Sequence, residues 1–176
     1  MISTKYLNSI AYNTLMGEFQ ELNDAARKKL QIADHMLTMS YPMIKDPRLL
    51  LSILENLFLA LSYGMSSLLY YEKDFKRISS FPNNFADKLE MFRAACSVRY
   101  GLGNEGIKAM QEIKEILVAY RKSPVEFPRK ESLIICDGNY QMKIISASMV
   151  RGYLEKAKLF ITSISSIISR NKLIYI

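Results

Sequence analysis

Apolar side chains recur every three or four positions along most of this chain, which is the spacing of one face of an α-helix. The pattern predicts helices over residues 18–39, from 47 to about 75, from Phe85 to "YGLGN", from Asn104 to "KSP", and over about 148–170. Asp46-Pro47 marks the start of the second helix, because the carboxylate caps free N–H groups and proline fits the first helical position. The last helix has the most regular apolar stripe, made by Val150, Leu154, Ala157, Ile161, Ile164 and Ile168.

Residues 132–145, "SLIICDGNYQMKII", have a different pattern. Two runs of high β propensity flank Asp137-Gly138, a pair that tolerates the positive φ of a tight hairpin turn. An isolated hairpin is only marginally stable, so this one must lie on the helices or pair with another chain. The sequence therefore predicts one all-α domain over 1–176, an up-and-down bundle of about five helices with a β-hairpin inserted before the last helix.

Residues 49–71, "LLLSILENLFLALSYGMSSLLYY", hold one charged side chain, Glu55. On a helical wheel the polar residues of this segment share a single arc of roughly 140°. A membrane span has no need of such a strip, and a glutamate at the centre of a bilayer costs a few kcal/mol. The segment is therefore predicted to be the central helix of a soluble protein, with no insertion into a membrane.

The polar strip of this helix is a candidate groove or dimer seam. Its predicted lining residues are Arg48, Ser52, Glu55, Asn56 and Tyr63, together with Arg93 and Arg99 from the next helix. The alternatives are that the strip faces solvent, or that its small serines allow a neighbouring helix to approach closely. A partly buried Glu55 needs a cationic or hydrogen-bonding partner, and Arg99 is the first candidate for it. Glu55 and Arg99 are accordingly the candidate catalytic residues if the protein is an enzyme.

The formal charge of +7 is concentrated in the second half of the chain, where residues 89–176 carry 14 Lys and Arg against 8 Asp and Glu. The basic stretch "RKSPVEFPRK", residues 121–130, leads into the hairpin. If the hairpin folds back, a phosphate-contacting surface is expected from Arg121, Lys122, Arg129, Lys130 and Lys143. Tyr140 or Phe127 is a candidate stacking platform on that surface. The alternative is an ordinary solvated, charged face.

Several kinds of chemistry are not indicated by the sequence. His35 is the one histidine and lies opposite the apolar stripe of its helix, so we expect it to be solvated. Cys96 and Cys136 are forty residues apart without a CxxC motif, which predicts reduced thiols in a cytoplasmic protein and no metal site. "GLGNEG" follows a helix and not a strand, so it does not indicate a dinucleotide site. We expect no cofactor, and the N-terminus does not have the pattern of a signal peptide.

The segments "DPRLLLSILENLFLAL" and "MFRAACSVRYG" resemble the HEPN superfamily of small prokaryotic helical domains, in particular its uncharacterised archaeal members. The resemblance covers roughly residues 18–170. It implies a dimerising bundle that binds RNA or a nucleotide, and a protein partner such as a nucleotidyltransferase. HEPN ribonucleases are expected to carry an Arg followed four to six residues later by His, and neither Arg93 nor Arg99 has such a His.

We therefore expect a non-catalytic binding module that acts as a homodimer on RNA, a nucleotide or a protein partner. Two alternatives stay open. One is a divergent HEPN-type ribonuclease centred on Glu55 and Arg99. The other is a structural subunit whose hairpin adds a strand to a partner protein.

Overall fold

Five helices account for most of the residues that the computed structural model describes, which are 17–123, 125–136 and 141–170. They are α1 (Glu18–His35), α2 (Leu49–Asp74), α3 (Phe85–Met91), α4 (Glu105–Lys122) and α5 (Ala147–Arg170). Two of them extend through a π-helical turn, α1 through Met36–Ser40 to Tyr41–Ile44 and α3 through Phe92–Ser97 to Val98–Tyr100. Below, α1 and α3 include these extensions. The prediction of five helices is confirmed.

Helix α2 lies at the centre and packs against α1, α4 and α5. Its leucines at 50, 54, 57, 61 and 68 are fully buried, and each contributes roughly 1.5–3 kcal/mol of burial free energy. The predicted stripe of α5 is buried along its whole length, from Val150 to Ile168. The core therefore surrounds the most apolar segment of the sequence.

Helix α2 is also the one helix among the described residues that is long and apolar enough to cross a membrane. Of its most apolar 18-residue stretch, 56% is buried inside the protein. A core helix of a soluble protein passes the same test of length and composition, and this burial is consistent with the prediction from the polar strip.

The end of α1 differs from the prediction. The apolar spacing predicts a first helix that ends at residue 39, yet the helix continues past Pro42 to Ile44. Because Pro42 has no N–H to donate, an ordinary α-helical turn would lose a hydrogen bond there. The π-helical turn Met36–Ser40 changes the hydrogen-bonding pattern just before it. Lys45, with φ 54°, then ends the helix in the left-handed conformation.

Three strands precede α5 in a small antiparallel sheet, ordered β1 (Val125–Arg129), β2 (Ser132–Cys136) and β3 (Met142–Ser146). Strands β2 and β3 form the predicted hairpin, and its proposed turn Asp137-Gly138 lies outside the described residues. The prediction of only two strands is wrong, because β1 also pairs with β2. Proline disfavours the centre of a sheet, but Pro128 is tolerated in β1 because this strand lies at the edge.

The two faces of the sheet have different surroundings. Leu133, Ile135 and Ile145 share the inner face and are buried, where β2 contacts α4 and β3 contacts α5. On the outer face, Phe127 and Ile144 lie on either side of Ile134 in the strand register. This outer face also carries Val125 and Met142, and its four apolar residues on β1 and β3 are exposed. The sheet therefore presents an apolar surface to solvent.

Among the polar contacts that hold the sheet to the helices, two involve β1 and the turn that follows it. The Tyr41 hydroxyl at the end of α1 donates a hydrogen bond of 3.1 Å to the carbonyl of Glu131, in the β1–β2 turn. Arg48, just before α2, pairs with Glu126 of β1 at 3.5 Å. The sheet that contains the predicted hairpin thus lies on the helices.

Candidate functional site

A groove of about 890 Å³ opens between α3 and α4, with β3 beside it. Its lining combines apolar and charged side chains. The apolar ones are Phe85, Ala86, Leu89, Val118 and Ala119, and the charged ones are Glu90, Arg93, Lys114, Glu115, Lys122 and Lys143. Four cations against two carboxylates give this groove, called the α3–α4 groove below, a formal charge of +2.

Helical spacing places these side chains on one face of each helix. On α3, Phe85, Leu89 and Arg93 follow at intervals of four residues, so they lie above one another along the groove. The Asn84 side chain fixes the start of this face by accepting a hydrogen bond of 2.9 Å from the Asp87 backbone N–H. On α4, the lining residues from Gln111 to Lys122 have the same periodicity.

Two contacts order the cations inside the groove. Arg93 donates a hydrogen bond of 2.6 Å from Nη2 to the side-chain oxygen of Gln111, which links α3 to α4. Lys114 places its ammonium 4.0 Å from the centre of the Phe85 ring. That ring contacts Phe58 of α2, at 5.5 Å between ring centres. The groove thus has an aromatic wall, backed by the core, with a cation on its open side.

The predicted phosphate-contacting residues do not all lie together. Lys122 and Lys143 line the α3–α4 groove together with Arg93, which had been assigned to the polar strip. Arg129 lies on the outer face of the sheet, whereas the register places Lys143 on the inner-face side. Lys130 follows Arg129 in the β1–β2 turn, and Arg121 is exposed near the end of α4. The structure therefore does not form one surface from all five, and Tyr140 lies outside the described residues.

The polar strip of α2 does not form one groove either. Arg48 pairs with β1, as described above. Asn56 accepts a hydrogen bond of 3.4 Å from Lys29 of α1 and donates one of 2.8 Å to the carbonyl of Ser52. Tyr63 is half-buried and packs against the core, and Glu55 is exposed. These residues connect α2 to different neighbours, so most of the strip joins packed elements.

The expected pair between Glu55 and Arg99 is wrong, because Arg99 pairs with Glu72. Glu72 is seventeen residues beyond Glu55 along α2, a distance of about 25 Å on a helix. Its side chain is fully buried, whereas that of Arg99 is 42% exposed. One arginine at the end of α3 cannot reach both ends of α2.

Glu72 is the centre of a small polar cluster with Arg77, Arg99 and Tyr100. The Tyr100 hydroxyl donates a hydrogen bond of 2.5 Å to Oε1 of Glu72, and Arg77 pairs with the same oxygen at 3.1 Å. Burial, together with this bond to Glu72, raises the pKa of Tyr100. The backbone N–H of Arg77 also donates to the Glu72 carbonyl at 2.9 Å. The cluster joins the end of α2 to the end of α3.

The sequence pattern did not indicate every residue of these two sites, and Glu72, Phe85 and Lys114 are examples. Glu72 lies about 100° around the helix from Glu55, outside the polar arc. Its position on the apolar side of α2 is the sequence feature that could have indicated it. Phe85 begins the predicted third helix, and its half-exposed position beside the groove depends on tertiary packing. Lys114 had no signal, because it is one of several cations on α4.

The described residues offer no metal site, since no group of three or more His, Cys, Asp or Glu side chains is placed to hold an ion. His35 is exposed, as expected. Cys96 is fully buried, and burial raises the pKa of its thiol to about 12, with nearby Glu72 contributing.

The chain matches no protein-family model, no curated protein and no solved structure. The HEPN resemblance therefore depends on the two quoted segments, and the function is argued from the geometry of the α3–α4 groove.

Proposed function

We propose that this chain is a non-catalytic binding module that holds single-stranded RNA or a nucleotide in the α3–α4 groove. One observation carries the proposal: cations from α3, α4 and β3 surround an apolar cleft of about 890 Å³. Arg93, Lys122 and Lys143 come from distant parts of the sequence, and folding brings them to this one place. On an ordinary solvated, charged face, there would be no reason for these cations to surround one apolar cleft.

The composition of the groove suits the two parts of a nucleotide. Phosphate groups are attracted by Lys and Arg, and their binding releases counterions, which makes the affinity fall with salt. Bases of single-stranded RNA are held by aromatic and apolar side chains that every base can contact. The cavity volume also lies within the range of roughly 300–1,000 Å³ that small-ligand sites occupy.

The wider proposal is a HEPN-like, up-and-down bundle that works as a homodimer in the cytoplasm. Short connections between successive helices favour antiparallel neighbours, which supports the bundle arrangement. The exposed apolar outer face of the sheet is the kind of surface that a second copy or another protein covers. The fully buried Cys96 thiol is consistent with a reducing compartment.

Glu55 and Arg99, the candidate catalytic residues, lie apart, which supports a non-catalytic module. Arg99 is bound to Glu72, and Glu55 is exposed about two dozen ångströms away along α2. A divergent HEPN-type ribonuclease is the alternative, and it would cleave the RNA that the groove holds.

A second candidate function is favoured by the sheet. Val125, Phe127, Met142 and Ile144 form its exposed apolar outer face, and β1 and β3 each pair with one strand among the described residues. Edge strands of this kind can add a strand to a partner protein. This candidate makes the protein a structural subunit and predicts no affinity for RNA.

A salt titration with two matched variants tests the groove. We expect octa-uridine to bind the wild-type protein with an affinity that falls steeply between about 50 and 200 mM salt. In the double variant Lys122→Gln, Lys143→Gln, the slope of log affinity against log salt is expected to fall by about 1.4, which corresponds to two lost phosphate contacts. Uridine monophosphate as a competitor distinguishes a single-nucleotide site from one that needs a strand.

The matched control removes the same charge elsewhere. Arg129→Gln, Lys130→Gln lies at the β1–β2 turn and is expected to keep the wild-type salt slope. If this control loses affinity and the groove variant does not, the site is on the sheet and the groove is wrong. RNA cleavage by the wild-type protein that Arg99→Gln abolishes would favour the ribonuclease, and absence of RNA binding would favour the structural subunit.

A further inference from the structure

We propose that the Phe85 ring is a stacking platform for one nucleobase, which replaces the Lys114 ammonium when RNA or a nucleotide binds. The inference rests on the proposed function of the α3–α4 groove and adds to it the part of the ligand that the apolar wall recognises.

The first support is the orientation of the ring. Phe85 is half-buried, and the Lys114 ammonium lies 4.0 Å from the ring centre, within the range of a cation–π contact. Because Phe85 and Lys114 both line the groove, the ring face under the ammonium is turned toward it. A planar base needs the same open face for stacking.

The second support is the backing of the ring. Phe58 of α2 contacts Phe85 with 5.5 Å between ring centres and a tilt of 40°. Phe58 packs partly buried against the hydrophobic core, so the platform is supported from the central helix. A ring held in this way loses little conformational freedom when a base stacks on it.

The third support is the position of the displaced cation. Lys114 lines the same groove as Arg93 and Lys122, where phosphates are expected. Its long and flexible side chain can leave the ring and contact a phosphate of the bound nucleotide. Binding thus replaces one cation–π contact by base stacking on Phe85 and by an ion pair between Lys114 and a phosphate. The Lys114 ammonium is therefore not left buried and unpaired.

The test compares two ligands that carry the same number of phosphates, octa-uridine and an abasic octamer. We expect the wild-type protein to bind octa-uridine more tightly, and Phe85→Leu to reduce this preference by about tenfold while leaving affinity for the abasic octamer unchanged. Phe127→Leu is the matched control, because Phe127 is another partly exposed phenylalanine, on the outer face of the sheet. It is expected to keep the wild-type preference.

A second variant gives a direct signal of stacking and does not depend on Phe85→Leu remaining fully folded. The chain contains no tryptophan, so Phe85→Trp places a single indole in the groove. We expect octa-uridine to quench its fluorescence and the abasic octamer to leave it unchanged. Lys114→Gln is expected to retain the base preference and to reduce only the salt slope.

The outcomes separate the two proposals. If neither octamer binds the wild-type protein, the groove function fails and the platform fails with it. If both bind equally, or if Phe127→Leu loses the preference and Phe85→Leu keeps it, the platform is wrong while RNA binding stands.

Discussion

At position 72 a fully buried carboxylate pairs through one oxygen with Arg77 and through the other with Arg99, and it accepts a hydrogen bond from Tyr100. Removing a carboxylate from water costs several kcal/mol unless its oxygens are paired in this way. Arg77 follows the end of α2, and Arg99 and Tyr100 are at the end of α3. A single side chain therefore holds two chain segments together.

Removing Arg99 tests this arrangement. We expect Arg99→Gln to lower the free energy of unfolding by about 2–3 kcal/mol, less than the full cost of breaking a buried ion pair, because Arg99 is partly exposed. The double variant Glu72→Gln, Arg99→Gln should cost less than the sum of the single changes, since no charge is then left buried with a lost partner. Urea unfolding measures all three variants.

Arg93→Gln is the control, since Arg93 is exposed and bonded only to the neutral Gln111 among the contacts described above. It should change stability by no more than about 0.5 kcal/mol, as is usual for surface substitutions. Additive effects of Glu72→Gln and Arg99→Gln would show that the two residues are not coupled.

At the scale of the elements, the segment "GLGNEG" between α3 and α4 shows that a glycine-rich pattern does not by itself indicate a dinucleotide site. Gly101 has φ 60° and ends α3 in the left-handed conformation, which favours glycine. Gly106 lies in the first turn of α4, where an added Cβ would be 2.6 Å from Cγ and 2.8 Å from Cβ of Phe160. Both glycines thus serve backbone geometry and helix packing.

We expect alanine substitutions at Gly106 and at Gly152 to have opposite effects on the stability of the protein. Gly106→Ala should destabilise the protein by about 1–3 kcal/mol, because the Phe160 ring has to move away from its site against α4. Gly152→Ala, inside α5 with open space around it, should stabilise by up to about 1 kcal/mol through helix propensity. Thermal unfolding compares both with the wild type, and a neutral Gly106→Ala would contradict the close approach of α4 and α5.

For the molecule as a whole, buried thiol and tyrosine hydroxyl groups make the free energy of unfolding decrease at alkaline pH. Burial raises the pKa of Cys96 from 9.0 to about 12, and it also raises the pKa values of Tyr100 and Tyr153. Hydrogen bonds to Glu72 and Glu112, respectively, raise those two tyrosine pKa values further. In the folded state these groups keep protons that the unfolded chain releases at lower pH.

We therefore expect stability to be constant up to about pH 9 with respect to these groups and to fall as the pH rises from 9 toward 12. The sign follows because the unfolded state loses its protons first, so base favours unfolding. Urea unfolding at several pH values measures the fall, and Cys96→Ala should make its first part less steep. A stability that rises above pH 9 would contradict the buried, protonated thiol.

The sequence alone determined the helices and the hairpin, because both depend on local periodicity. The stripe of α5 and the central position of α2 follow from apolar spacing that any tertiary arrangement must bury. The third strand was not predictable in the same way, since Pro128 is acceptable only at an edge and the edge is a property of the whole sheet. The course of α1 past Pro42 likewise depends on a π-helical turn that no residue pattern specifies.

Only the tertiary structure decided which charged side chains meet. Lys122 and Lys143 join Arg93 in one groove while Arg129 lies on another face, and Arg99 pairs with Glu72 in place of Glu55. The periodicity of a helix or strand predicts on which side of the element a residue lies. It does not predict which elements become neighbours. That information comes from the simultaneous packing of all five helices and the sheet around α2.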